Sequence, residues 1–164
     1  IIIKMPRNYR PNVAAVIFNK NGDIWTGKRS DINNSDEWQL PQGGININES
    51  PHKAIVREIY EETGMQSVKI ITTIDEWISY DLPANIAKIK WSGKYIGQKQ
   101  KWFLIYFFGK DEEINIDFSD KPEFTSWKWD NEKKIVDNVV KFRKNVYLKV
   151  FNNFIPIMNK YLKI

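Results

Sequence analysis

The chain contains no cysteine and a single histidine, His52. Disulfides, thiolate nucleophiles and cysteine-held metals are thereby excluded, and so is any site built from several histidines. Long apolar runs are missing as well. The opening Ile-Ile-Ile-Lys is too short for the apolar region of a signal peptide, and the longest later run, residues 102–108, is far below the roughly 20 residues that span a bilayer. A soluble, cytoplasmic protein with no membrane partner is expected. No repeat, low-complexity tract or linker divides the sequence, so one domain over residues 1–164 is expected.

What is present is a globular composition, 42% hydrophobic and 14% aromatic over 164 residues, enough to bury an adequate core. The formal charge of +5 favours a polyanionic partner. Lysine and asparagine are plentiful throughout, however, so biased composition explains the charge as readily as nucleic-acid binding does.

The most informative stretch is residues 43–65, Gly-Gly-Ile-Asn-Ile-Asn-Glu-Ser-Pro-His-Lys-Ala-Ile-Val-Arg-Glu-Ile-Tyr-Glu-Glu-Thr-Gly-Met. It reads as a glycine loop feeding a helix. Ser50 suits an N-cap, Pro51 the first helical position and Gly64 the left-handed residue past the end, which predicts a helix over residues 51–63. At about 100° per residue, Ile55, Val56, Ile59, Tyr60 and Thr63 share one arc, and Glu58, Glu61 and Glu62 fall on the opposite one. The acidic arc has two explanations, a solvated helix face or a cation site. Like charges at this spacing cost roughly 0.2–0.5 kcal/mol per pair, a repulsion that divalent cations would remove. Carboxylates and loop carbonyls are hard oxygen donors that suit Mg²⁺ or Mn²⁺, and Mg²⁺ usually shares its remaining positions with water and substrate phosphates.

Around this stretch, residues 13–18 and 24–29 are expected to pair as a hairpin about Asn21-Gly22, followed by a surface loop over residues 30–37. Residues 68–74 and 76–80 read as strand. Residues 87–91 and 98–108 suggest a second hairpin turning at Ser92-Gly93, with alternation that puts Lys99 and Lys101 on one strand face, solvated or turned to a ligand. Residues 111–120 read as a solvated acidic connector, and Phe124, Trp127 and Trp129 return to strand. A last amphipathic helix over residues 138–153 aligns Val139, Phe142, Val146, Val150 and Phe154, and Pro156 is expected to break or kink it. Together the elements give an α/β fold, an α/β/α sandwich with a mixed β-sheet.

Gly43, five residues, Glu49, seven residues, then Arg57-Glu58-Ile59-Tyr60-Glu61-Glu62-Thr63-Gly64-Met65 matches the 23-residue signature of Nudix hydrolases at every fixed position. The sequence therefore resembles that family, whose fold is this sandwich. The resemblance implies metal-dependent hydrolysis of phosphoric anhydride bonds, with two or more Mg²⁺ or Mn²⁺ ions. It also implies Glu58, Glu61 and Glu62 as metal ligands, Gly43 as a carbonyl ligand, and Arg57 with Glu49 as the ion pair that holds loop to helix. Which glutamate serves as general base stays open.

Four further segments carry a closer resemblance: Tyr9-Arg10-Pro11-Asn12-Val13, residues 38–44, residues 96–103, and Pro122-Glu123-Phe124 with Trp127-Lys128-Trp129. They are similar to the branch that holds bacterial RNA pyrophosphohydrolases and diadenosine polyphosphate hydrolases. That likeness implies removal of pyrophosphate from 5′-triphosphorylated RNA, promoting mRNA decay, or hydrolysis of dinucleoside polyphosphates, by a monomer. A non-catalytic nucleotide or RNA sensor on the same scaffold is the third reading, against which the intact Glu58, Glu61 and Glu62 argue. Arg10, Arg29, Lys99 and Lys101 would meet the polyphosphate. Glu123 would be a carboxylate near the metals, or else a surface glutamate. Tyr80, Val140, Phe142 and Arg143, with Arg29, would border a nucleobase pocket. Phe142 serves equally as core and Arg143 as a surface cation.

Overall fold

Strand β1, Tyr9–Phe18, is the axis of the sheet: residues 12–18 are all buried, and their side chains alternate between two cores. The structure, a computed structural model, describes residues 8–30 and 37–164. Its further strands are β2 (Ile24–Arg29), β3 (Trp38–Gln39), β4 (Gln42–Gly44), β5 (Val68–Thr73), β6 (Ile78–Asp81), β7 (Gly97–Phe107) and β8 (Phe124–Asp130). Its helices are α1 (Pro51–Thr63), α2 (Ala84–Ala87), α3 (Glu132–Asn138) and α4 (Lys141–Leu162). The sheet order is β3-β2-β1-β7-β5, with β4 paired to β1, β6 to β7 and β8 to β2.

The sheet is mixed because β1 and β7 run parallel, in register from Tyr9↔Gly97 to Phe18↔Tyr106, while β5 and β6 pair antiparallel with β7. Strands covered on both faces read as unbroken apolar runs, which explains residues 13–18 and 102–107. On one face Val13, Ala15, Ile17, Phe103 and Ile105 meet α1 through Ala54, Ile55 and Ile59. On the other, Ala14, Val16, Trp102 and Leu104 meet α4 through Val146, Val150 and Phe154. The expected α/β/α sandwich results. No helix among the described residues is long and apolar enough to cross a membrane.

Helix α1 has the expected ends. The Ser50 hydroxyl accepts from the Lys53 amide at 3.2 Å, Pro51 opens the helix, and Gly64 closes it in the left-handed region with φ 74°. Its buried face is rotated from the expected one. Ala54, Ile55, Ile59, Glu62 and Thr63 are buried, whereas Val56 and Tyr60 are 45% and 43% exposed. The apolar count of the arc predicted burial of Val56 and Tyr60, but the loop over residues 43–49 draws the carboxylate side toward the sheet edge.

Three other expectations change. Residues 87–91 are not a strand: α2 and the tight turn Lys90–Gly93 occupy that stretch, and β6 takes its place beside β7. The last helix starts at Lys141, leaving Val139 in the α3–α4 link, and it runs through Pro156 because Val150, Phe154 and Met158 are buried on both sides of the proline. The acidic segment is more than a solvated connector. Ile114 and Ile116 are buried, the Asn115 amide donates to Thr63 O at 2.8 Å, and Glu113 accepts from the Gln66 and Ser67 amides at 2.8 Å each and from Ser67 Oγ at 2.6 Å. Of the expected loop over residues 30–37, residues 31–36 lie outside the described residues.

Burial pushes the Glu113 carboxyl up, but its hydrogen bonds from Ser67 and Gln66 hold it below the ordinary carboxylate range. Losing a charged hydrogen-bond acceptor costs about 1–3 kcal/mol. Glu113→Ala is therefore expected to lower the melting temperature measurably, while Glu112→Ala next door, at an exposed position, stays within about 0.5 kcal/mol of the parent in thermal unfolding.

Candidate active site

Pairing of β4 with β1, Asn12↔Gly44 and Val13↔Gly43, lays the glycine loop against the carboxylate side of α1. Glycine lets side chains of the cleft approach the loop closely. A Cβ on Gly43 would lie 2.0 Å from Glu58 Cδ, and one on Gly44 would lie 2.3 Å from Arg10 Nη2. The loop is tied down by Arg57. Its Nε and Nη2 each donate to a Glu49 oxygen at 2.8 Å, Nη2 also reaches Gly44 O at 2.8 Å, and Nη1 donates to Glu58 at 2.8 Å and Glu61 at 3.1 Å. Hydrogen bonds from Arg57, aided by the Asn46 amide, lower the Glu49 carboxyl to about 2. What Glu49 adds to stability is thus present above the ordinary carboxylate range and is lost as pH falls from there toward about 2.

Glu58 and Glu62 form the acidic wall of the cleft. Glu62 is 8% exposed and its Oε2 has no hydrogen-bond partner, so burial first, and then the charges of Glu123 and Glu58, raise its pKa well above the ordinary value. Burial also raises Glu58, against the pull of Arg57. Glu61 differs: its side chain is half exposed and bonded to Arg57. Glu123, just before β8, sits 3.6 Å from Arg29 Nε. The cleft holds about 300 Å³ and is lined by Glu58, Glu62 and Glu123 on the acidic side and by Arg10, Arg29 and Lys90 on the basic side.

As placed, no three acidic or histidine side chains among the described residues converge as a metal cage, because Arg57 takes up oxygens of both Glu58 and Glu61. The donor chemistry nonetheless suits a hard cation. An orphaned buried carboxylate oxygen and neighbouring carboxylates in mutual repulsion are what an incoming Mg²⁺ would satisfy.

A second cleft of about 550 Å³ adjoins the first, sharing Arg29 and Lys90, and is lined by Val140, Phe142 and Arg143. Phe142 is half-buried, faces this cleft and stacks on Tyr80 with ring centres 6.0 Å apart. Tyr80 in turn accepts from Gln98 Nε2 at 2.9 Å, and Gln98 accepts from Asn12, so a buried polar row runs between the clefts. Arg143 is no ordinary surface cation. It is 3% exposed, and its Nη1 donates to Gln39 Oε1 at 2.7 Å and to Glu37 at 3.1 Å. Arg29 donates to the same Gln39 oxygen at 3.1 Å.

Lys99 and Lys101 are not brought to either cleft. Lys99 lies over the Trp77 ring, and Lys101 donates to Asp75 O at 2.8 Å, both on the strand face opposite Gln98. Gln39, Lys90 and Trp91 are cleft or network residues that sequence reasoning missed. Gln39 lay within a quoted segment without a role, and the reading of residues 87–91 as strand hid the other two.

The NUDIX domain model matches residues 8–150. The chain is 43% identical over 157 residues to an RNA pyrophosphohydrolase of Wolbachia pipientis subsp. Culex pipiens, covering 96% of each. It is 44% identical over 154 residues to Nudix hydrolase 26, chloroplastic, of Arabidopsis thaliana, covering 91% of this chain and 70% of that protein. In fold it is similar to the C. elegans Ap4A hydrolase, with a TM-score of 0.63, 17% identity, and coverage of 88% of this chain and 98% of that one. The glycine loop seated on the Glu58 helix, the matching domain over most of the chain and relatives above 40% identity lead to one assignment: the chain belongs to the Nudix hydrolase family.

Proposed function

We propose that the chain is an RNA pyrophosphohydrolase that, with two or more Mg²⁺ or Mn²⁺ ions bound, removes pyrophosphate from the 5′-triphosphate end of RNA. It acts as a cytoplasmic monomer and thereby opens transcripts to decay. The observation that carries this reading is the pair of adjoining clefts: one polar, with carboxylates facing cations, the other bordered by Phe142 and Arg143. A polyphosphate suits the first by charge and a nucleobase the second by stacking, and the Wolbachia relative, similar over nearly its whole length, bears that activity in its name. A dinucleoside polyphosphate presents the same two chemistries to the same surfaces. The stacked Tyr80–Phe142 rings beside the second cleft favour it as the alternative.

Glu58, Glu62 and Glu123 with the Gly43 carbonyl would hold the ions, and Glu61 would join them on exchanging its bond with Arg57. When bound, divalent ions neutralise phosphate oxygens and lower the pKa of the attacking water. Arg10 and Arg29 hold the polyphosphate from the basic side for in-line attack on one of its phosphorus atoms. The proton would pass to a carboxylate oxygen of the cleft that holds no ion. Arg57 and Glu49 touch neither substrate nor proton and keep the loop on the helix.

Purified protein with Mg²⁺ is expected to release pyrophosphate from 5′-triphosphorylated RNA with a higher kcat/KM than it shows on diadenosine tetraphosphate; the reverse order would favour the alternative. Glu62→Gln is expected to lose at least about 100-fold in turnover. In metal-free buffer the same variant should melt at a higher temperature, because burial and neighbouring carboxylates penalise the ionised Glu62. Glu61→Gln, at a half-exposed position, should lose turnover without that gain. Near-parental rates for both variants in saturating Mg²⁺ would refute the ligand assignment. Phe142→Ala should lower kcat/KM on triphosphorylated RNA by about 5- to 100-fold, more than on a free nucleoside triphosphate. Phe142→Leu, which keeps the packing, checks that the loss is one of stacking, and equal losses on both substrates would assign Phe142 to the core alone.

A further inference from the structure

The segment between β6 and β7 carries a backbone strain that neither the fold nor the carboxylate chemistry requires. Trp91, Ser92 and Gly93 have φ of 51°, 57° and 72°, three successive residues in the left-handed region. For Trp91 and Ser92 this conformation is unfavourable and persists only where the surroundings impose it. What the turn delivers is an indole at the cleft. Trp91 packs on the α4-side core and lines the acidic cleft, with Arg10 Cζ 5.1 Å and Lys90 Nζ 5.0 Å from its ring centre.

Arg10 is also seated by Gly44. The glycine is not demanded by φ, since the positive-φ glycines among the described residues are Gly22, Gly64 and Gly93. Its effect is one of contact, because a Cβ there would lie 2.3 Å from Arg10 Nη2 and push the guanidinium aside. The guanidinium is therefore fixed from two directions, by an aromatic ring and by bare backbone. Arginine and lysine side chains lose rotamer freedom on gripping an anion, and cations already held in place avoid that loss.

We propose that Trp91 is a positioning residue which, together with Gly44, pre-arranges Arg10 and Lys90 as a receptor for the polyphosphate chain opposite Glu58 and Glu62. This rests on the reading that the acidic cleft takes a polyphosphate. The attraction is of cation to π-face, strengthened where the ring lies partly out of water.

The test uses inorganic tripolyphosphate as probe, titrated calorimetrically into the full chain with Ca²⁺ present, over a series of salt concentrations. Trp91→Leu keeps an apolar side chain and removes the ring; it is expected to weaken binding about ten-fold and to flatten the fall of affinity with salt. Trp91→Phe should recover most of the loss. In the Trp91→Leu background Arg10→Gln should cost far less than in the parent, because the cation it removes is no longer held. Gly44→Ala displaces Arg10 from the other side, and after it Arg10→Gln should likewise add little. Unchanged binding by Trp91→Leu, failure of Trp91→Phe to rescue, or additive losses in both cycles would overturn the proposal. Should Trp91→Leu fail to fold, the same cycle with Trp91→Met decides: coupled losses with Arg10→Gln are expected, and additive losses would overturn the proposal. Absence of tripolyphosphate binding by the parent would also overturn it, whereas binding without hydrolysis of triphosphorylated RNA would overturn the proposed function and leave the receptor standing.

Discussion

Arg57 grips both oxygens of Glu49, reaches the Gly44 carbonyl and meets Glu58 and Glu61, all through one planar cation. The loop cannot leave the helix without breaking these bonds, and the helix cannot rotate without moving the loop. A lysine would not substitute, because a single ammonium lacks the fork of donors that spans a carboxylate and a carbonyl at once. The same grip sets the electrostatics of the cleft. It supplies one positive charge to several carboxylates, enough to hold Glu58 beside Glu62 but not to discharge the pair.

From this constraint the division of the cleft follows. Gly43 lets Glu58 rise against the loop, and Gly44 lets Arg10 come down on it from the other side. Acid and base thus line one cleft beside backbone that carries no side chains. Arg29 belongs to both clefts: it pairs with Glu123 beside the acidic wall and shares the Gln39 oxygen with Arg143 beside the second cleft. Two buried guanidiniums on one amide oxygen, with Glu37 alongside, make a stiff partition between the part of the site that would meet phosphate and the part that would meet a base.

Much of this was legible in the sequence where local chemistry decides. Ser50, Pro51 and Gly64 set the ends of α1 because capping is a matter of a few adjacent residues. The apolar runs of β1 and β7 gave away central strands because both faces are covered. Where tertiary context decides, the sequence was silent. Val56 and Tyr60 look like core by periodicity, yet the burial stripe of α1 is set by the loop docked on Glu58 and Glu62. The turn at Trp91 resembles a strand in composition, since nothing local announces a left-handed tryptophan. Lys99 and Lys101 have the right charge, but the pleat of β7 aims them away from both clefts. In sequence Arg143 reads as a pocket residue or a helix-surface cation, and only Gln39 and Glu37, over a hundred positions away, show that it is buried.

Arg57 either organises the carboxylates that would hold the metal or merely neighbours them, and the two possibilities differ in sign. Coulomb's law alone says that deleting a cation beside Glu58 and Glu61 should tighten the binding of a divalent ion. If instead Arg57 holds the loop carbonyl and the carboxylates in one arrangement, Arg57→Ala should weaken Mn²⁺ binding, measured by electron paramagnetic resonance in the absence of substrate, and lower the melting temperature as well. Tighter Mn²⁺ binding with an unchanged melting temperature would show that Arg57 only neighbours the carboxylates and organises nothing.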